Sequence, residues 1–359
     1  MNIKSKVYSY HPNNSKGIGG IESLIRRFHR ILNTERTSFI ELYNSICSEE
    51  CFDIGPNREQ IQLEGVENSV LDKFRRKLAL YRFTNNISQS TIIMYSPRAL
   101  LALSKKTLTN NRLILVQANS IDMVYRPIDK LIMSWKGKYV DDYTVYTSLD
   151  KEQLNMINPR SIGQTHMLPR ACKLVTSKVT SEISFELVTI ARIEEKQKNF
   201  SAMISIMNRL GDKYTLDIYG DGEPEEIENL VELIKNEKNI RYRGIAKDVE
   251  KTLKSYSLFL ITSRYEGFGQ TLIEARSQGL PIVGYNTYPA LSWIVEDGLN
   301  GKVVEFGNEQ AFCDAVLDIL SSYDRYKYYS DSSLKKARET EGLLIDQNWI
   351  ELLQNRRYQ

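Results

Sequence analysis

Two carboxylates with seven residues between them, Glu266 and Glu274, flank the segment Gly267-Phe268-Gly269-Gln270-Thr271. Carboxylates accept charge-assisted hydrogen bonds from hydroxyl groups, so this pair suits the hydroxyls of a sugar and a ribose. Two anions cannot grip a diphosphate; backbone N–H groups or cationic side chains must do that. The apolar run Leu258-Phe259-Leu260-Ile261 precedes the pair, and a helix-like stretch runs from Thr271 to Gly279. Gly279-Leu280-Pro281-Ile282-Val283-Gly284 then reads as a helix stop followed by a buried strand. A strand, a glycine turn and a helix start present backbone N–H groups to phosphate. The expectation is Glu266 in the turn and Glu274 about one helical turn in, both facing a cleft at the strand's C-terminal end. The competing reading is a surface loop followed by a helix carrying two solvated glutamates.

The elements that must position these groups point to the α/β class. A chain of 359 residues, 42% of them hydrophobic, allows two domains of ordinary size. A strand at Lys6–Tyr10 leads into the loop His11–Gly20 and a helix from Ile21 to about Leu32, where Ile21, Leu24, Ile25, Phe28 and Leu32 recur at helical spacing. Gly19 and Gly20 at that helix start would let backbone approach a diphosphate, although the G-x-G-x-x-G order and an acidic ribose partner are missing. Further strands are expected at Thr91–Tyr95, Leu113–Gln117 and Tyr143–Thr147. Thr165 to Ser184 reads as the crossing between domains, and Phe185–Ile190 as the strand that opens the second. The expected division is 1–170, 171–335 and a terminal helical segment 336–359.

Charge is unevenly distributed. Residues 1–180 hold 26 Lys and Arg against 16 Asp and Glu, while the remainder holds 22 against 29. Basic residues interleaved with Phe74, Leu78, Leu80 and Tyr81 in the first half suit an anionic membrane surface, or simply a solvated basic helix. Nucleic-acid modules are absent, so no nucleic-acid partner is expected. No apolar run approaches 18 residues, and the polar start Met1–Lys6 lacks the pattern of a signal peptide, so a cytoplasmic protein is expected. Cys47, Cys51, Cys172 and Cys313 form no metal-like cluster, and Asp221 in a glycine turn reads as an Asx turn rather than a ligand. No metal is expected.

Ser263, Glu266-Gly267-Phe268-Gly269 and Glu274-Ala275 stand in register with a signature that resembles the retaining glycosyltransferases of family four. The resemblance is strong over residues 185–305 and moderate over 6–32. It implies the GT-B fold: two Rossmann-like domains facing a central cleft, with a C-terminal helix packing back on the first. It also implies a nucleoside-diphosphate sugar as donor, a UDP-sugar above all, and no further cofactor. The implied acceptor is a glycan or lipid-linked precursor, used at the inner face of the plasma membrane.

The same resemblance implies residue roles. Arg192 and Lys198 would neutralise the leaving diphosphate with the amides of Gly269–Thr271, Glu266 would orient the sugar, and Glu274 would hold the ribose. Gly19 and Gly20 would approach the phosphate from the first domain, and Gly244 lies in the segment that meets the nucleobase. Glu274→Ala should then chiefly raise the donor KM, and Arg192→Ala chiefly lower kcat.

The chain departs from the pattern in several places. Ala191 replaces a glycine, and Arg192-to-Lys198 is one residue longer than the family spacing, whereas Lys196 makes it one shorter. Phe200, Met203, Ile204 and Met207 fall at helical offsets if Lys198 begins the helix, which favours Lys198 with Lys196 in reserve. Tyr288-Pro289-Ala290 stands where a Pro-Glu is common, and Gln117 where a histidine is frequent on the acceptor side. His11 in the glycine loop is the other acceptor-side candidate. These departures support an alternative: a catalytically silent GT-B protein that binds glycan or assists a partner glycosyltransferase.

Overall fold

The computed structural model describes residues 5–17, 19–34, 37–46, 52–53, 58–64, 69–177 and 183–354. Cys47 and Cys51 lie outside the described residues. The chain divides into two compact units, Met1–Leu168 with Asp346–Gln359, and Pro169–Ile345.

The first unit is built on a seven-stranded sheet in the order β3-β2-β1-β4-β5-β6-β7. Its strands are β1 (Ser5–Tyr10), β2 (Thr37–Tyr43), β3 (Glu59–Gln62), β4 (Thr91–Met94), β5 (Arg112–Val116), β6 (Asp142–Val145) and β7 (Thr165–Met167). Every pairing is parallel. Parallel strands covered on both faces read as continuous apolar runs, which is why β4 and β5 stand out in the sequence. β2 does not, because Glu41 interrupts Phe39-Ile40 and Leu42, and β3 is the polar edge segment Glu59-Gln60-Ile61-Gln62. β7 falls where the crossing between domains was expected to begin; it pairs with β6 and finishes the first sheet.

The second unit carries a six-stranded parallel sheet in the order β10-β9-β8-β11-β12-β13. These strands are β8 (Glu186–Ile190), β9 (Thr215–Tyr219), β10 (Ile240–Tyr242), β11 (Leu258–Ile261), β12 (Ile282–Tyr285) and β13 (Gly301–Val304). Strand order reverses beside β8 and β11, as it does beside β1 and β4 in the first unit. Both are Rossmann-like doubly wound sheets, and at such a switch point the loops at the strands' carboxyl ends diverge and leave room for a ligand.

One local expectation is corrected. Lys198 does not begin the long helix: it ends a single turn, Glu195–Lys198, and Asn199 at φ +58° separates that turn from the helix Phe200–Leu210. The left-handed residue is held in place: Asn199 Nδ2 donates to the Thr262 carbonyl at 3.4 Å, and its Oδ1 accepts from Arg264 Nη2 at 2.7 Å. Phe200, Met203, Ile204 and Met207 are buried on one helix face as their spacing predicts.

The helix Gly342–Gln354 straddles the division, and from Asp346 onward it belongs with the first unit. Trp349 stands edge-on to Phe28 at 4.9 Å between centroids, Asp346 accepts from Arg27 and Arg30, and Arg112 donates to the Leu352 carbonyl at 2.8 Å. Each contact joins residues more than two hundred positions apart, so the C-terminal segment is part of the first unit's core.

Candidate active site

In the second unit a small recess lies at the carboxyl ends of β8 and β11. Its walls include Thr189–Ala191, Thr262, Ser263, Lys198, Glu266 and Thr271. The two turns that follow these strands are tied to each other. Thr262 Oγ1 donates to the carbonyls of Lys198 (2.9 Å) and Asn199 (3.1 Å), and the Arg264 N–H donates to the Gln197 carbonyl at 2.8 Å. Thr287, after β12, donates to the Ser263 carbonyl at 2.7 Å. Three strand ends thus hold one another in register around the recess.

Within it, Lys198 and Glu266 form a close ion pair, both nearly withdrawn from solvent. Ser263 Oγ donates to the same carboxylate oxygen at 3.0 Å. Gln197 Nε2 lies 3.4 Å from the other oxygen and donates to the Tyr265 carbonyl at 3.0 Å. An ammonium has three donors, and the pair with Glu266 fixes its direction while leaving others for an incoming anion. Ser263 was visible within the signature; Gln197 carries no signal in the sequence, because its role depends on the turn that Asn199 closes.

The helix Gln270–Ser277 starts from Gly269 at φ +97°, a conformation that strains any L side chain. A Cβ there would also stand 2.9 Å from the Leu272 side chain. No side chain caps this helix, so the leading N–H groups at Gln270 and Thr271 have no intrahelical acceptor. Thr271 lines the recess, Gly267 lies in the bend, and Phe268 is buried against Trp293 at 6.0 Å between centroids. Beside Gly269, the Tyr288 hydroxyl is buried without a hydrogen-bond partner among the described residues. Burial and then the charge of Glu266 push its pKa well above the usual phenol range.

Glu274 lies elsewhere. It is buried on the inner side of its helix, where it accepts from Gln270 Nε2 at 3.2 Å, and the same Gln270 amide donates to the Ala171 carbonyl at 3.2 Å. Burial raises its pKa above the ordinary carboxylate value; the Gln270 hydrogen bond and Lys173 oppose that shift. Unlike Glu266, Glu274 is not part of the recess wall. Arg192 is also apart: its side chain is 73% exposed and sits 3.8 Å from Glu194. The structure therefore brings Lys198, Glu266 and Thr271 together, and leaves Arg192 and Glu274 outside that group.

Gly244, at φ +71°, closes the loop after β10, and its carbonyl accepts the Gly220 N–H at 2.9 Å. Gly220 is a requirement the sequence did not reveal, since a Cβ there would overlap the Ala191 carbonyl. That contact is between the ends of β8 and β9, which no local pattern predicts.

Residues 184–322 match the family described as Glycosyl transferases group 1. That match lies within the second unit. Poly(glycerol-phosphate) alpha-glucosyltransferase of Bacillus subtilis (strain 168) is 26% identical over 229 residues, 60% of this chain and 34% of that protein. The UDP-N-acetylglucosamine–peptide N-acetylglucosaminyltransferase GtfA subunit of Streptococcus agalactiae is 29% identical over 177 residues, 46% of this chain and 34% of that protein. The matches thus span about a third of the length of these relatives. Among solved structures, lipopolysaccharide outer core galactosyltransferase WaaB is similar with a TM-score of 0.76, at 19% identity, over 96% of this chain and 98% of that one. The paired Rossmann-like units are those of the GT-B fold.

The first unit treats its glycine loop differently. Gly19 has extended backbone, Gly20 is the first helical residue, and the Glu22 carboxylate lies where a Gly19 Cβ would be. An anion already occupies the start of this helix. His11 Nδ1 is 3.1 Å from the Asn13 carbonyl and 3.7 Å from Glu22, with its ring edge-on to Tyr95. Gln117 is fully engaged: Nε2 donates to Asp150 at 3.0 Å, and Oε1 accepts the Tyr146 N–H at 2.9 Å. Behind the loop, Glu41 is completely buried and accepts from the Ser15 N–H (2.6 Å), Ser15 Oγ (2.7 Å), His29 Nε2 (2.8 Å) and Gln60 Nε2 (2.7 Å).

Proposed function

We propose that this chain is a retaining, metal-independent hexosyltransferase of family four that moves a sugar from a nucleoside-diphosphate donor, a UDP-sugar, to a glycan or lipid-linked acceptor. The observation that carries this reading is the Lys198–Glu266 pair at the β8/β11 switch point, beside the uncapped helix start at Gly269–Thr271. Lys198 and the leading amides supply positive charge for a departing diphosphate, which a metal supplies in other sites. Ser263 and Gln197 hold Glu266, so that Lys198 is aimed rather than mobile, and Glu266 is placed for sugar hydroxyls.

In the proposed reaction the bond between the anomeric carbon and the phosphate oxygen breaks, and the diphosphate takes the electron pair. The acceptor oxygen bonds to the same face, and its proton passes to the leaving phosphate oxygen. Arg192 joins the diphosphate by rotation of its exposed side chain, and Glu274 holds the donor ribose. The GtfA relative's name includes a UDP-sugar and the glucosyltransferase relative acts on a phosphate-linked polymer, which supports both donor and acceptor class.

The test is release of nucleoside diphosphate from a panel of UDP-, GDP- and ADP-sugars, with and without membrane extract and with EDTA. Release from one UDP-sugar, stimulated by extract and insensitive to EDTA, is expected. Nucleotide binding with no release from any donor would instead support the silent GT-B reading.

A further inference from the structure

Lys198 stands on a turn that has no core of its own. The four residues Glu195–Lys198 bury none of their side chains, and a single helical turn does not sustain itself in isolation. At its start the Glu195 N–H donates to Glu226 Oε2 at 2.9 Å. At the Lys198 end the hydrogen bonds come from the segment after β11. Thr262 Oγ1 takes the carbonyls of Lys198 and Asn199, and the Arg264 N–H takes that of Gln197. Side chains complete the hold: Arg264 Nη2 donates to Asn199 Oδ1 at 2.7 Å, and Asn199 Nδ2 to the Thr262 carbonyl at 3.4 Å.

The Arg264 side chain supplies what the backbone cannot. Asn199 closes the turn at φ +58°, a conformation that a residue other than glycine keeps when its surroundings enforce it. A guanidinium only donates, so Asn199 must turn Oδ1 toward Arg264, which leaves Nδ2 facing the Thr262 carbonyl. Both ends of this buried amide are then fixed, and with them the direction in which the chain leaves Lys198. The guanidinium is itself steadied by the Phe306 ring, whose centroid is 5.7 Å away. Arg264 is exposed and, unlike Lys198, is not part of the recess wall. Its route to the site is therefore through Asn199.

We propose that Arg264 is a positioning residue: by locking Asn199 it holds Lys198 Nζ beside Glu266, with the other ammonium donors turned to the diphosphate. The inference deepens the donor-site reading and rests on it. Without the Arg264 side chain the Asn199 amide is free to rotate, and the ligand itself must order Lys198. The cost of that ordering falls on ligand binding, because Arg264 lies outside the core.

The test is calorimetric titration of the full chain with UDP, GDP and ADP, continued with the one that binds wild type. Lys198→Ala should weaken that binding about tenfold, as loss of a hydrogen bond from a charged group does. Arg264→Ala should weaken it about fivefold, within the range of couplings inside one hydrogen-bond network. The double variant should bind no more weakly than Lys198→Ala alone, a readout that a merely structural role would not move. Should Arg264→Ala fail to fold, Asn199→Gly keeps the left-handed backbone, removes the acceptor and should show the same loss with the same dependence on Lys198. Unchanged affinity in Arg264→Ala would overturn the proposal. So would losses that multiply in the double variant, since Arg264 would then act on the ligand directly. Wild type that binds none of the three nucleotides would sink the donor-site reading itself, and this inference with it.

Discussion

The turn after β8 and the loop after β1 occupy equivalent places in two sheets of the same strand order, yet they use charge in opposite ways. After β8, Lys198 stands at the front of the turn, pairs with Glu266 from the turn after β11, and lines a recess with it. After β1, the carboxylate that organises the loop, Glu41, is behind it and wholly buried, and Glu22 fills the start of the following helix. One turn keeps its charged groups available to a ligand; the other has them committed to holding backbone. A doubly wound sheet provides the same open switch point twice, and the side chains decide which one presents cationic chemistry.

The largest effect should come from the buried carboxylate. Glu41→Ala leaves His29, Gln60 and both Ser15 donors without an acceptor, and removal of one partner from such a buried network costs about 3–5 kcal/mol. Thermal unfolding should show this, and a loss below about 1 kcal/mol would mean the loop is not held through Glu41. The pH dependence sharpens the point. Burial pushes the Glu41 pKa up, but hydrogen bonds from His29, Ser15 and Gln60 outweigh it, so the folded value lies below 4.5. A depressed folded pKa gives stability that is complete above the unfolded value and lost as pH falls through the folded one. The stability advantage of wild type over Glu41→Gln should therefore shrink below about pH 4.5.

Next in size is Lys198→Ala, expected to lower kcat by about 10²–10³-fold, as removal of one charge-stabilising donor does in other sites. Steady-state turnover on the active donor checks it. If Glu266→Gln lowers turnover as well and the double variant falls far short of the product of the two, the pair acts as a unit. Full additivity would break the contrast drawn between the two turns.

The smallest effect is expected at Tyr288. Its buried hydroxyl has no partner among the described residues, so Tyr288→Phe removes a desolvated polar group and should raise stability by up to about 1 kcal/mol, or leave it unchanged. A clear loss of Tm would show that the hydroxyl is already bonded in the free protein. Set against Glu41→Ala, this variant asks whether the second unit tolerates an unsatisfied hydroxyl near its recess while the first unit depends on the acceptor that Glu41 provides.

Much of the second unit was legible in the chain itself. The apolar runs of β8, β11 and β12, the positive-φ glycine at 269 and the carboxylate at 266 all follow from local composition, because a buried parallel strand and a helix start each have short-range signatures. The first unit was harder. β2 carries Glu41 within its apolar run, β3 is polar, and Gln117 gave no hint that both ends of its amide are engaged by Tyr146 and Asp150. The same limit applies to Glu274, whose hydrogen bond from Gln270 is not announced by its spacing from Glu266.

What the sequence by itself determined is the alternation of strands and helices, the second unit's glycosyltransferase signature, and the choice of residue types able to bind sugar and diphosphate. Those are properties of segments of about ten residues, set by periodicity and backbone conformation. Only the tertiary structure decided that Lys198 meets Glu266, that Asn199 ends the turn between them and the long helix, and that Arg192 stands apart in solvent. Such partnerships join positions about 65 residues distant, and strand order, not local preference, brings them within hydrogen-bonding reach.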